Sequence, residues 1–142
     1  MIKTIEYKNK KLKIIDQRKL PQRLVYKQLS CVKDVKDAIK TLAIRGAPAI
    51  GVTAAYGLYI GICNLRLKDV RPFLKRLDKI AEYIEDARPT AVNLSWALER
   101  LKKIARENKN ITVDAIKNAL LNEAKKIQRE DELMCRKIGV FG

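Results

Sequence analysis

Between Gly46 and Leu65 not one residue is charged, in a chain that is 33% charged overall. A run of that kind must be withdrawn from water, so the rest of the chain has to be arranged to cover it. The spacing predicts a buried helix, with Pro48 at its first position. There the missing N–H costs no hydrogen bond and the fixed φ suits the turn. Pro48, Thr53, Asn64 and four glycines interrupt a run that barely reaches the ~20 apolar residues needed to cross a bilayer, so a core helix is expected and not a membrane span. Gly51, Ala54, Ala55, Gly57 and Gly61 would let neighbouring elements approach its backbone closely. At its mouth, Gly46 and Arg45 stand beside unpaired backbone N–H groups and the positive end of the helix dipole, which makes an anion site. The competing reading of the same residues is that Arg45 caps a neighbouring helix and Gly46 makes an ordinary turn.

A chain of 142 residues with 47% apolar content is the size of one globular domain with a real core. Met1-Ile2-Lys3-Thr4-Ile5-Glu6 is charged and alternating from the start, unlike a signal peptide, so a cytoplasmic protein with no membrane partner is expected. Cys31, Cys63 and Cys135 are odd in number and widely spaced, so they build neither a disulfide framework nor a paired-cysteine metal site. With no histidine in the chain, neither an imidazole zinc ligand nor a histidine general base is available. The net charge of +15 is heaviest before residue 46 but interspersed with acids. No uninterrupted basic run with interleaved aromatics accompanies it, so a solvated surface is expected over a nucleic-acid partner. A basic nucleic-acid-binding domain stays in competition.

In chain order, residues 2–7 and 12–17 are rich in β-branched residues and flank Lys8-Asn9-Lys10-Lys11, a hairpin pattern, and Leu24–Leu29 can add a third strand. From Val32 the period changes: Val32, Val35, Ile39 and Leu42 share one helical face, with Ser30 as cap and an end near Ile44. Val70, Phe73, Leu74, Leu77, Ile80, Ala81 and Ile84 mark a second amphipathic helix, begun by Asp69 and Pro72. Pro89 biases Arg88 toward an extended conformation and can itself open the next helix, whose apolar stripe is Val92, Trp96, Leu98, Leu101 and Ala105, with Trp96 in the core. Arg88-Pro89 then repeats the logic of Arg45-Gly46-Ala47-Pro48, and two guanidinium groups with helix N–H donors suit a phosphate. A last helix starts at Thr112 with Asp114 in its first turn, turns Ile116, Leu120, Ala124 and Ile127 inward, and runs toward a turn at Gly139. The fold class expected is α+β and predominantly helical: a small antiparallel amino-terminal sheet (1–29) followed by a helical bundle (30–142) around the glycine- and alanine-rich helix.

Three motifs in order, Ile15-Asp16-Gln17-Arg18-Lys19-Leu20-Pro21, Arg45-Gly46-Ala47-Pro48-Ala49-Ile50-Gly51 and Arg88-Pro89-Thr90-Ala91-Val92-Asn93-Leu94, closely resemble the amino-terminal domain of the S-methyl-5-thioribose-1-phosphate isomerase family. That family groups with the α, β and δ subunits of translation initiation factor 2B and with ribose-1,5-bisphosphate isomerase, and the similarity covers nearly the whole chain. The resemblance implies an aldose–ketose isomerase that converts S-methyl-5-thio-α-D-ribose 1-phosphate to S-methyl-5-thio-D-ribulose 1-phosphate in methionine salvage, without a cofactor and as a homodimer at full length. It implies that Arg45, Gly46, Ala47 and Arg88 bind substrate. The family's acid and base, a cysteine and an aspartate, belong to a carboxyl-terminal Rossmann-like domain beginning about where this sequence ends. None of Cys31, Cys63 or Cys135 matches that cysteine in context, so no catalytic residue is assigned and the chain alone is expected to be inactive. A regulatory module of the initiation-factor branch is the alternative use of the same fold.

Overall fold

The computed structural model describes residues 5–41, 43 and 47–141. Three short antiparallel strands open it: β1 (Ile5–Lys8), β2 (Lys11–Ile15) and β3 (Tyr26–Leu29), in the order β1-β2-β3. Alternation along β2 decides which face is inside, since Leu12 and Ile14 are closed to solvent while Lys11 and Lys13 point outward. The β1–β2 connection is a two-residue loop, Asn9 and Lys10, flanked by the pair Lys8 and Lys11. Both loop residues have positive φ (52° and 63°), which matches the twist of a tight hairpin and is unusual for lysine. Lys10 Nζ donates to Asn64 Oδ1 at 3.3 Å, tying the loop to the bundle.

Among the described residues five α-helices follow: α1 (Val32–Lys40), α2 (Ala47–Ile62), α3 (Val70–Glu85), α4 (Val92–Glu107) and α5 (Val113–Phe141). The expected α+β fold, a small sheet followed by a helical bundle, is what forms. At its centre is α2, which touches each of the other helices and both β1 and β2. Its apolar residues lie all round the helix axis, as a helix surrounded by protein requires. The glycines set how close the neighbours come. A Cβ at Gly57 would stand 2.5 Å from Val35 Cγ1 of α1, and one at Gly61 would stand 2.8 Å from Ile80 Cγ2 of α3. α3 buries Phe73, Leu77, Ala81 and Ile84; α5 buries Ile116, Leu120, Ala124 and Ile127. Thr112 caps α5 as expected, its Oγ1 accepting from the Ala115 N–H at 3.2 Å. A polar strut joins α5 to the sheet: Tyr56 Oη donates to Gln128 Oε1 at 2.5 Å, and Gln128 Nε2 donates to the Ile5 carbonyl at 3.1 Å.

Several local expectations are corrected. α1 ends at Lys40 with Thr41 as C-cap, earlier than Ile44; Leu42 and Ile44 lie outside the described residues. Its N-cap is Cys31, while the Ser30 N–H and hydroxyl both donate to the Asp34 carboxylate, which reaches back over the first turn. Pro89 does not open α4, whose N-cap is Ala91. The Ala91 N–H donates to the Arg88 carbonyl at 3.0 Å, so Pro89 takes the second position of a turn over 88–91, where its fixed φ is equally suited. Arg88 sits in a bend, its own N–H donating to the Glu85 carbonyl at 3.3 Å. Gly139 does not end α5, because one glycine costs only about 1 kcal/mol relative to alanine in a helix. Trp96 is not a core residue: it is 51% exposed.

Candidate functional site

The first turns of α2 and α4 meet. Gly51 makes this possible, since a Cβ there would press to 3.3 Å from the Asn93 carbonyl oxygen and 3.7 Å from Ala97 Cβ. Pro48, Gly51 and Val52 of α2, Val92, Asn93 and Trp96 of α4, and Ile127, Glu130 and Asp131 of α5 line a cleft of about 380 Å³ at this junction. That volume lies within the ~300–1,000 Å³ typical of small-molecule sites. Its walls are largely apolar, with Val92 78% exposed, and carboxylates stand on the α5 side.

The chain segments that follow Arg45-Gly46-Ala47 and Arg88 line this cleft. Pro48, which follows Arg45-Gly46-Ala47, lines it, and Arg88 precedes the turn that leads into Val92 and Asn93. Ala47 is the first residue of α2, at the positive end of its dipole. Arg45 and Gly46 lie outside the described residues. Arg88 is half-buried, and among the described residues its guanidinium has no carboxylate partner. Arg100, by contrast, is fully engaged: Nε donates to Glu123 and Nη1 to Glu130, each at 2.7 Å, and its guanidinium carbon lies 5.2 Å from the Trp96 ring centroid. The pair of carboxylates favours its charged form, and through Glu130 this cation is tied to the α5 side of the cleft.

The first motif is built around Asp16, buried to 3% exposure. Its carboxylate accepts from the Arg18 N–H, Nε and Nη2 at 3.0, 2.9 and 2.7 Å, and those bonds hold its pKa down to about 2. The Gln17 N–H next to it donates to the Ala43 carbonyl at 2.9 Å. This motif therefore anchors the backbone two residues before Arg45. It is part of the support and does not line the cleft.

Residues 43–142 match the initiation factor 2 subunit family. The chain belongs to that family. Among its relatives it is 49% identical over 133 residues to the methylthioribose-1-phosphate isomerase of Crocosphaera subtropica, covering 94% of this chain and 38% of that protein. It is 44% identical over 135 residues to the 5-deoxyribose 1-phosphate isomerase of Bacillus cereus, covering 95% of this chain and 39% of that one. Two solved members of the family superpose on it. The 5-methylthioribose 1-phosphate isomerase of Pyrococcus horikoshii does so with a TM-score of 0.87 at 42% identity, over 92% of this chain and 36% of the other. The δ subunit of the translation initiation factor eIF-2B of A. fulgidus gives 0.83 at 37% identity, over 92% and 38%. The chain thus spans about two fifths of the length of the relatives it matches.

Within this family fold, the sequence draws attention to the arginine motifs but not to the apolar cleft wall of Val92 and Trp96. Val92 and Trp96 were grouped with Leu98 and Leu101 as one stripe, whereas they occupy a second face of α4. The available signal was spacing: Leu94, Leu98, Leu101 and Ala105 already complete a helical face, leaving Val92 and Trp96 as a separate i, i+4 pair. No helix among the described residues is long and apolar enough to cross a membrane.

Proposed function

We propose that this chain is the amino-terminal, phosphate-binding part of an aldose–ketose isomerase acting on a 5-substituted pentose 1-phosphate, with S-methyl-5-thio-α-D-ribose 1-phosphate as substrate and S-methyl-5-thio-D-ribulose 1-phosphate as product. Residues 1–29 form its sheet and residues 30–142 its helical part. The observation that carries the reading is the meeting of α2 and α4 at Gly51 and Asn93, which brings the segments following Arg45-Gly46-Ala47 and Arg88 to one cleft. In such a substrate the anomeric oxygen is esterified, so ordinary ring opening is blocked and the sugar must be held while a hydrogen passes from C2 to C1. Arg45 and Arg88 would neutralise the phosphate, and the N–H groups of Gly46 and Ala47 would donate to its oxygens at the positive end of α2. No proton-transferring residue is assigned to this chain; the acid and base are taken to come from the rest of a full-length family member. The reading takes the protein as cytoplasmic and, at full length, as one subunit of a homodimer.

The test is phosphate binding by this chain. Arg45→Ala and Arg88→Ala should each weaken it, by about tenfold or more for loss of a charge-assisted contact worth roughly 1.5–3 kcal/mol. Unchanged affinity in both would sink the proposal. Turnover of the sugar phosphate by a lengthened chain separates it from a regulatory module of the initiation-factor branch, which would bind without isomerising.

A further inference from the structure

On the face of α5 turned away from the cleft, a groove of about 440 Å³ separates that helix from the edge strand β1. Gln128 crosses the groove at one end, accepting from Tyr56 Oη and donating to the Ile5 carbonyl. The two-residue loop makes Lys8 and Lys11 a mutually hydrogen-bonded pair, so by alternation Glu6 and Lys13 form another, and Ile5 and Tyr7 direct their N–H and C=O groups away from β2. Gln128 takes the Ile5 carbonyl. The N–H and carbonyl of Tyr7 are left facing the groove, and among the described residues nothing is bonded to them. Across from them α5 presents two cations, Lys125 and Arg129, one turn apart on a single helix face. Both are exposed, and neither has a carboxylate in ion-pair range among the described residues, although Glu6 and Glu132 line the same groove. β1 and α5 run in opposite directions, because Ile5 meets Gln128 while Lys10 and Lys117 both reach the end of α2, at Asn64 and Leu65. Arg129 therefore stands near Ile5, and Lys125 lies toward Tyr7.

We propose that this groove captures the carboxyl terminus of a peptide, which adds to β1 as a short antiparallel strand. The peptide enters from the hairpin end. Its penultimate residue exchanges both hydrogen bonds with Tyr7, as facing residues of an antiparallel edge do, and its last residue brings the carboxylate between Lys125 and Arg129. Gln128 stops the added strand at Ile5, so an internal stretch of chain does not fit and a terminus does. Glu6 and Glu132 disfavour further acidic side chains, which leaves the terminal carboxylate as the one negative charge the cations take up. The groove shares no lining residue with the cleft, so the proposal is independent of the sugar-phosphate reading.

The test is a nuclear magnetic resonance titration of the isotope-labelled 142-residue chain. The probe is a pool of N-acetylated tetrapeptides, randomised at the last two positions and ending either in a free carboxylate or in a carboxamide. The free-carboxylate pool should move the Tyr7 amide proton downfield, as a new strand bond does, and should bind at least about tenfold tighter than the carboxamide pool, which lacks the charge-assisted contacts. Combining Lys125→Gln with Arg129→Gln should remove that preference. Both side chains are exposed, so the double variant keeps its fold, as an unchanged spectrum away from the groove verifies. Acetate at the same concentration should leave the Tyr7 amide where it is. An unmoved Tyr7 amide, an equal response to the two pools, or a preference that survives the double substitution overturns the proposal. So does acetate matching the peptides, which reduces the groove to a plain anion site, and so does loss of the preference in Arg88→Ala, which moves the carboxylate to the cleft.

Discussion

On α4, Leu94, Leu98 and Leu101 are closed to solvent, while on the same helix Val92 and Trp96 stand 78% and 51% exposed. The inner face is packed against α2, whose glycines hold the neighbouring helices at short range, and its apolar surface is fully used in folding. The outer face has the same chemistry and contributes little to the fold. Apolarity alone therefore does not distinguish a core position from a binding wall; the distinction lies in whether another element of the chain covers it. A cavity on the inner face should cost stability, and a change on the outer face should cost only recognition.

The largest expected effect breaks the inner face. Leu98→Ala should lower the unfolding free energy by about 2–5 kcal/mol, the usual cost of a buried leucine's methyl groups plus the cavity left behind, measured by denaturant unfolding. A loss under 1 kcal/mol would mean that the inner face is loosely packed and that the contrast with the outer one is false. Next, Gly57→Ala sets a Cβ against the branched side chain of Val35; overpacking of about 1–3 kcal/mol, less about 1 kcal/mol gained in helix propensity, should leave a net loss. Gly51→Ala should be milder in stability yet displace the first turn of α4, so that it changes ligand affinity more than it changes the thermal midpoint.

A smaller effect lies outside both faces. Asp16→Asn removes a carboxylate whose folded pKa is depressed to about 2, below its ordinary 3.8. That group adds stability above pH 4 and loses it as the pH falls toward 2, so wild type and variant should converge in acid. Because Arg18 is 37% exposed and screened by water, the difference near neutral pH should be of order 1 kcal/mol. Equal spacing of the two unfolding curves from pH 7 to pH 2 would refute the ion-pair account. Tyr7 and Tyr56 act at the other extreme: burial raises both to about 12 from 10.0, so their contribution holds below pH 10 and fades as the pH rises through 12. The smallest change in stability should come from Trp96→Ser, within about 0.5 kcal/mol as for other surface positions. A loss above 2 kcal/mol would show Trp96 to be a fold residue after all, and would erase the difference between the faces.

Much of the fold was legible because it follows from period and charge. The uncharged run after Arg45 could only be a covered helix, the strands alternated, and Thr112 capped α5 where a threonine before an apolar stripe should. Boundaries were less legible. Pro89 suits both a first helical position and the second position of a turn, and only the bond between Ala91 and Arg88 decides between them. Gly139 reads as a stop in sequence but is carried through by a helix long enough to absorb one glycine.

The candidate site divides along the same line. By itself the sequence marked the start of α2 as a candidate anion site, because proline and glycine at that spacing leave unpaired helix N–H groups beside an arginine. The tertiary structure alone decided that the starts of α2 and α4 share one cleft, because that depends on Gly51 having no side chain between them. It also decided that Trp96 faces that cleft and not the core. Which side of a helix is covered depends on residues distant in sequence, and no local pattern records their position.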